Sequence, residues 1–495
     1  MKYLLTGAQM QRADKYTIEE IGIPSMVLME RAALKVVETL ENEQVDFSNI
    51  LVVCGIGNNG GDGYAIARLL HLKGHKVSIC SIGDDSKRSV ENRQQKKIAE
   101  YYNIPILQQV KQNEYSLIID AVFGVGLSRN LEGVYRTVIE QLNCMPGYKV
   151  AVDIPSGISD TTGEQCGIAF CADLTIALAY AKRGHVLHSK HPMIGKLRVV
   201  DIGISITSLT FDEPLCYCYD IDDFQEMYPK RIENSHKGSY GKVLLVVGSK
   251  GMAGAAHLCA KASYAVGCGL VRIYTHEDNR EILQKALPEA MVTTYNEYNN
   301  KQLDELLEWA DVVGIGCGMG VSETSKQITR QVLKRENVPC VIDADALNII
   351  ASEMELLQNS NQIRILTPHM KEMTRLLGCE MQELQQCKFE KLYDFCYKYN
   401  LVCVMKDART LICKKDQDYF LNLTGNSAMA KGGSGDILTG MITGIFAQNR
   451  NAYQSACLGV YLHGLAGDIA ANEKGKYSVL ASDIVDSIEK VLKQI

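Results

Sequence analysis

The feature that most constrains this chain is an alternation running almost end to end. Short apolar runs of strand length are each followed by a stretch with helical spacing. Such alternation predicts parallel sheets, because a parallel neighbour requires a crossover and the crossover helix covers the sheet. In the first half the strand-like runs fall at 50–54, 76–81, 116–120, 149–153, 174–178 and 197–202. In the second half they fall at 242–248, 269–275, 311–315, 340–343, 364–367 and 402–406, with a hairpin following in TLICKKDQDYFLN. Between the halves, SLTFDEPLCYCYDIDDFQEMYPKRIENSHKGSYGK turns from acidic to basic, carries two prolines and sustains no period. A domain boundary near 212–220 follows, giving domains 1–215 and 220–495. A chain of 495 residues is too long for one ordinary core, which agrees with two.

Composition removes several classes of function. A net charge of −6 gives no general attraction for nucleic acid or an anionic membrane. No apolar run approaches the roughly 20 residues of a membrane helix, and the opening MKYLLTGAQMQRADK lacks the apolar core of a signal peptide. The 17 cysteines are scattered without a C-x-x-C pair, many in apolar runs (Cys54, Cys80, Cys340, Cys403). Cys216-x-Cys218 has no matching His or Cys pair, so a zinc site is not expected. The expectation is a cytoplasmic protein without structural disulfides.

In CGIGNNGGDGYAIARLL, Gly55, Gly57 and Gly60 spell G-x-G-x-x-G between a strand and a helix. A pyrophosphate site wants bare backbone N–H groups and no nearby anion. Here Asn58, Asn59 and Asp62 occupy the stretch, and the next strand, KVSICSIG, ends without the acid that would hold ribose hydroxyls. A dehydrogenase is therefore disfavoured. A glycine-rich strand–helix turn with solvated polar groups is the plain alternative. Two further strand ends add polar loops: IIDAVFGVGLSRNL, with Asp120, and VAVDIPSGISDTTG, with Asp153 and Ser156. In an open parallel sheet these loops converge at the carboxyl ends of the strands. Asn59, Asp120 and Ser156 could offer oxygens to a hard cation of low charge such as potassium, and Asp153 could act as a general acid or base. For each aspartate taken singly, a turn or helix cap is the simpler role.

In the second half, GNSAMAKGGSGDILTGMITGIFA places Gly432, Gly433 and Gly435 before an apolar helix expected to begin near Asp436. Backbone N–H groups and the helix dipole make such a start an anion site. Asp436 there could take a proton from a hydroxyl approaching a phosphoryl group, or it could simply cap the helix. GSKGMAGAAHL brings a small residue, Ala255, and GIGCGMG brings Gly318. DADALN follows the next strand, LTPHMKE brings His369, and VMKDART brings Lys406 and Thr410. No G-x-x-x-x-G-K-[ST] occurs, which excludes a P-loop enzyme.

NNGGDG, DAVFGVGLSR and DIPSG, in this order after RADKYTIEEIGIPSMVLMERAA, resemble the N-terminal domain of the YjeF family, the NAD(P)H-hydrate epimerases, over about residues 5–210. The resemblance implies a Rossmann-like parallel sheet. It also implies substrate contacts from Asn58, Asn59, Gly60, Gly61 and Asp62 and from Gly124, Val125, Gly126, Leu127, Ser128, Arg129 and Asn130. Asp153 would bind the substrate and serve its proton chemistry, and potassium would sit on Asn59, Asp120 and Ser156.

The GG-x-GD ending resembles the ribokinase superfamily. With HKGSYGKVLLVVGS, DADALN, TPH and GNSAMAKGGSGD, residues 225–493 look like the YjeF C-terminal domain, the ADP- or ATP-dependent NAD(P)H-hydrate dehydratase. That implies a ribokinase-like α/β domain in which Ala255, Gly318, His369 and Asp436 bind the hydrate and Asp436 is the base. Lys406, Asp407, Ala408, Arg409, Thr410 and Gly435 would bind the adenine nucleotide, accompanied by Mg2+. Where the family usually reads G-P-G-L-G this chain has GCGMG, and where it reads T-P-H-P-G-E this chain has TPHMKE. KDART lacks a glycine often found there, and GNSAM carries Ser-Ala before Met429. Together the halves resemble a fused repair enzyme, for which the precedent implies ADP as the nucleotide and a homo-oligomer. The alternatives are a ribokinase-like vitamin or sugar kinase fused to a nucleotide-binding module, and a first domain kept only as a scaffold.

Overall fold

A computed structural model describes residues 1–111, 114–127, 129–187, 192–209, 213–358 and 360–493. The chain divides into two compact units: Tyr3–Cys216, and Tyr217–Ile495 together with Met1–Lys2.

In the first unit α1 (Gly7–Glu19) and α2 (Ser25–Asn42) precede the sheet. Then follow β1 (Ile50–Cys54), α3 (Asn58–Leu72), β2 (Val77–Ser81), α4 (Val90–Tyr101), β3 (Ile106–Leu107), β4 (Leu117–Ala121), α5 (Gly133–Cys144), β5 (Tyr148–Val152), β6 (Leu174–Leu178) and β7 (Lys196–Val200). The strand order is β3-β2-β1-β4-β5-β6-β7, with every neighbouring pair parallel. Both faces are covered. Ile50, Val52 and Cys54 pack with Val36, Leu40 and Ile66, while Leu51 and Val53 pack with Val138 and Leu142. A strand buried on both faces must read as an unbroken apolar run, as ILVVC does. The order in which strands are added reverses between β1 and β4, and a doubly wound sheet opens its crevice at such a switch point.

The glycine stretch departs from the expected turn. α3 begins at Asn58 with Gly57 as its N-cap, so Asn58–Asp62 already lie in its first two turns. Its glycines serve close packing. A Cβ on Gly60 would fall 2.1 Å from the Gly55 carbonyl oxygen, and one on Gly63 would fall 2.6 Å from the Ala121 methyl. The sequence reading also passed over the Lys2–Leu5 strand, whose Leu4 and Leu5 pair with Ala181 and Lys182. Two- and four-residue strands leave too little pattern to be read.

The second unit holds β8 (Lys242–Val246), α6 (Ala253–Ala265), β9 (Leu270–His276), β10 (Met291–Tyr295), α7 (Asn300–Trp309), β11 (Val312–Ile315), α8 (Glu323–Lys334), β12 (Cys340–Ile342), α9 (Ala344–Ser352), β13 (Arg364–Leu366), α10 (Met370–Leu377), α11 (Lys388–Tyr399) and β14 (Val402–Met405). The hairpin β15 (Leu411–Lys414) and β16 (Tyr419–Leu421) follows, then α12 (Ser434–Asn449), α13 (Ala452–Lys474) and α14 (Ala481–Leu492). The order is β10-β9-β8-β11-β12-β13-β14-β15-β16, parallel as far as β14 and antiparallel through the hairpin. The edge strand β10 was not expected from sequence, because its half-exposed MVTTY lacks an apolar run. α12 begins at Ser434, two residues earlier than expected, so Gly435 lies inside its first turn and does not precede it. All 17 cysteines are free thiols. Among the described residues, no helix is long and apolar enough to cross a membrane.

Candidate active sites

At the switch point of the first sheet a cavity of about 550 Å3 opens. It is lined by Asp14 and Gln11 of α1, Asn58, Asn59 and Asp62 of α3, the Val122–Leu127 loop with Arg129, and Asp153 and Lys182. The floor is a net of strand-end polar groups. Asp120 is fully buried and accepts from the Ser156 N–H at 2.8 Å, the Ser156 hydroxyl at 2.7 Å and the Val122 N–H at 3.1 Å. Burial pushes its carboxyl up to about 6, against the pull of those donors. Asn59 has its amide nitrogen and oxygen both buried and without a hydrogen-bond partner among the described residues.

Asp153 follows β5 with φ +68°, a left-handed conformation that aspartate tolerates better than bulkier residues. Its Oδ1 accepts from the Leu178 N–H at 3.1 Å and forms a buried ion pair with Lys182. Lys182 also donates to the Leu178 carbonyl at 2.9 Å. His185 ties the pair together: its Nδ1 accepts from the Lys182 N–H at 2.9 Å, and its Nε2 donates to the Asp153 carbonyl at 2.9 Å. Burial, then the Lys182 charge, lowers this imidazole to about 4, so it stands neutral in the one tautomer that makes both bonds. Asp160 fixes the rim, accepting from the Gly126 N–H at 2.6 Å and the Gly7 N–H at 3.2 Å.

In the second unit Gly433, at φ +93°, opens α12, and no side chain caps that helix. Its first turn therefore keeps free N–H groups at the positive end of the dipole, the arrangement that binds anions. Beneath lies a partly buried ion pair, Lys406 Nζ to the buried Asp343 Oδ1 at 2.7 Å, with the Thr439 hydroxyl on Asp343 Oδ2 at 2.8 Å. Burial opposes ionisation of Asp343, but Lys406 and the hydroxyls of Thr439 and Thr367 outweigh it and leave the carboxyl below its ordinary range. A Cβ on Gly435 would come 3.5 Å from Lys406 Nζ, so the helix start sits directly over the pair. Asp436, in the first turn, is pushed up to about 6 by burial and then by the Asp343 charge, with the Cys317 thiol and Lys406 pulling the other way.

The predicted residues are placed as follows. In the first unit Asn58, Asn59, Asp62, Gly124, Val125, Gly126, Leu127, Arg129 and Asp153 meet at the cavity. Gly60 and Gly61 lie behind it, packed on Gly55, Asn92 and Met29. Asn130 is exposed, and Ser128 lies outside the described residues. In the second unit Ala255 and Gly318 are neighbours, a Cβ on Gly318 lying 3.0 Å from the Ala255 methyl. His369 caps α10, its Nδ1 accepting from the Lys371 and Glu372 N–H groups. Asp407–Thr410 form the turn into β15, where Asp407 accepts from the Ala408 N–H at 2.8 Å. Sequence reasoning missed Lys182, His185, Asp343, Cys317 and Thr439. Of these only Asp343 left a signal, as the first acid of DADALN at a strand end.

Fold and sites define the class: a two-domain enzyme joining a Rossmann-like domain to a ribokinase-like one. Residues 25–184 match the family described as YjeF-related protein N-terminus, and residues 243–490 match the family described as NAD(P)H-hydrate dehydratase. The chain is 35% identical to the bifunctional NAD(P)H-hydrate repair enzyme Nnr of Moorella thermoacetica, over 100% of this chain and 97% of that one. It is equally 35% identical to the enzyme of the same name from Coxiella burnetii, over 98% of each. Among solved structures, the ADP/ATP-dependent NAD(P)H-hydrate dehydratase of Bacillus subtilis, co-crystallised with ATP and Mg2+, superimposes with a TM-score of 0.50 at 32% identity, covering 56% of this chain and 97% of that one. The chain belongs to the family of bifunctional NAD(P)H-hydrate repair enzymes.

Proposed function

We propose that the first domain interconverts the R and S hydrates of NADH and NADPH, and that the second returns the S hydrate to the dihydropyridine at the expense of ADP or ATP. The strongest support in the geometry is Asp436, a carboxyl raised to about 6 in the first turn of an uncapped helix. In this reading the nucleotide phosphates rest on the free N–H groups of α12. Asp436 takes the proton of the ring hydroxyl as its oxygen attacks the terminal phosphorus and ADP (or AMP) departs. The ring C–O bond then breaks with its electron pair leaving on phosphate, the neighbouring ring C–H gives its proton to solvent, and its electron pair forms the restored double bond. Lys406, held by Asp343, adds positive charge where negative charge gathers on the phosphates.

The hydrate would lie over Ala255 and Gly318, small residues that let it approach the backbone, with His369 at its edge. Lys406–Thr410 and Gly435 would border the nucleotide. Magnesium would enter on the nucleotide phosphates and offset their charge. In the first domain the substrate would contact Asn58–Asp62, the Gly124–Asn130 loop and Asp153. The orphaned Asn59 amide, the Asp120 carboxylate and the Ser156 hydroxyl are oxygen donors of the kind potassium takes. Potassium held there would offset the negative charge of the bound nucleotide. We extend the reading to a cytoplasmic protein and to a homo-oligomer; sedimentation of the purified chain would check the oligomer, and fractionation of cells the location.

The test offers mixed hydrate epimers with Mg2+ and either nucleotide and follows the dihydropyridine absorbance. Wild type recovers it completely, and Asp436→Ala recovers none. A stable phosphorylated product, or no recovery with either nucleotide, contradicts the reading.

A further inference from the structure

We propose that Asp62 is the general acid of the epimerisation, giving its proton to the departing hydroxyl, and that Asp153 is the base for the water that returns. This rests on the epimerase reading above.

Asp62 lies on the second turn of α3 and lines the cavity, yet it is only 8% exposed. Among the described residues its carboxyl has no hydrogen-bond or ion-pair partner, whereas Asp153 on the same cavity is paired with Lys182. An ionised carboxylate buried without a partner is expensive, so the neutral acid is the favoured form. The groups around it agree. Asp153 and Asp14 face it as carboxylates, and burial followed by these two charges moves Asp62 well above the ordinary carboxylate range. Glu91 of α4 also lines the cavity, bonded to the Ser25 hydroxyl. The Cys54 thiol of β1 is buried nearby. The cations are committed elsewhere. Lys182 is held by Asp153 and the Leu178 carbonyl, Arg68 of α3 by Glu30 of α2, and Arg88 by Asp85, Ser81 and the Gly55 carbonyl. Arg129 stands exposed at the rim. Of the four carboxyls on the cavity, Asp153 is paired with Lys182, Glu91 is bonded to Ser25 and Asp14 is half-buried; among the described residues Asp62 is the one both buried and bare, which divides acid from base.

The chemistry follows from the hydrate itself, in which the hydroxyl-bearing carbon is bonded to the ring nitrogen. Asp62 protonates the hydroxyl and the C–O bond breaks with its electron pair leaving on water. The nitrogen lone pair forms the C=N bond of an iminium ion. Water adds to the opposite face, the C=N pair returns to nitrogen, and the proton shed by that water goes to Asp153. Its Oδ2, which makes none of the bonds described above, lies 3.4 Å from where a Gly124 Cβ would stand. Proton exchange through solvent resets both carboxyls, and no net oxidation occurs.

The experiment uses the full chain without nucleotide, so that only epimerisation runs. Purified R hydrate is the substrate, and the epimers are resolved by chromatography between about pH 5 and 9. The expected result for Asp62→Asn is a fall in kcat of about 100-fold or more with KM nearly unchanged. The decline of the wild-type rate at high pH, where Asp62 loses its proton, should disappear in that variant. In H2(18)O the wild-type chain should place one labelled oxygen in the hydroxyl per inversion, a readout that does not depend on the variant folding. Asp62→Asn with kcat unchanged, or inversion by wild type without label, overturns the proposal. A wild-type chain that does not epimerise at all overturns the epimerase reading instead.

Discussion

His185 donates its Nε2 proton to the carbonyl oxygen of Asp153 across 2.9 Å, and with its other nitrogen it accepts from the backbone of Lys182. One neutral ring thus fixes both members of a buried ion pair and holds Asp153 in its left-handed conformation.

Breaking that pair should be costly. Lys182→Met leaves the Asp153 carboxylate buried and alone, and should destabilise the chain by about 3–5 kcal/mol. The double variant Lys182→Met, Asp153→Asn removes both charges and keeps a residue that tolerates the left-handed backbone, and should regain most of the loss. Urea denaturation of the two variants measures the difference.

The histidine also predicts an acid response. In the folded chain His185 titrates near 4, against an ordinary value near 6.5, so between these values the unfolded chain binds the extra proton. Its stabilisation is complete above about pH 6.5 and drains away as the pH falls towards 4, by on the order of 3 kcal/mol. The stability difference between wild type and His185→Gln should shrink over that window. A difference independent of pH would contradict it.

Asp436 gives the opposite kind of titration. A base raised to about 6 works only when ionised, so dehydration should fall roughly tenfold per unit below pH 6 and be level above it. Asp436→Asn should lose at least about a thousandfold at about pH 7 and above, and its residual rate should not fall further below about pH 6. Initial rates with saturating nucleotide check both statements.

Two glycines should respond differently to alanine. Gly60→Ala places a methyl 2.1 Å from the Gly55 oxygen and 2.7 Å from the Asn92 amide, and should cost about 2–3 kcal/mol. In Gly435→Ala the methyl meets Lys406 at an ordinary 3.5 Å. That variant should fold as well as wild type, with the KM for nucleotide raised. Thermal melting and nucleotide titration separate the two.

The parts of this molecule legible in its sequence are those where one local pattern forces one outcome. ILVVC had to be a strand buried on both faces, and GGSGD had to open a helix. Asp153 and Asp436 were readable as candidates because one stands at a strand end before Pro-Ser-Gly and the other at a helix start after a glycine run. Lys182 and His185 were not, because AYAKRGH carries no period. Their roles arise only when the segment after β6 folds back beneath β5. Asp343 was visible as an acid, but its hold on Lys406 joins residues 63 apart in the chain. The G-x-G-x-x-G of Gly55, Gly57 and Gly60 could not by itself name a ligand, since it states where side chains are missing and not what approaches the gap. In this fold the approaching atoms are Gly55 O and the Ala121 methyl, and no pyrophosphate needs to be invoked.

The division of labour between the domains is tested most directly with R hydrate alone, Mg2+ and nucleotide. Wild type should convert all of it to the dihydropyridine. Asp153→Asn should proceed only at the spontaneous rate of epimerisation, and Asp436→Asn not at all. An equal mixture of the two variants should restore conversion, because each supplies the domain the other lacks. Full conversion by Asp153→Asn at the wild-type rate, or by Asp436→Asn at a rate within about a hundredfold of wild type, would contradict the account.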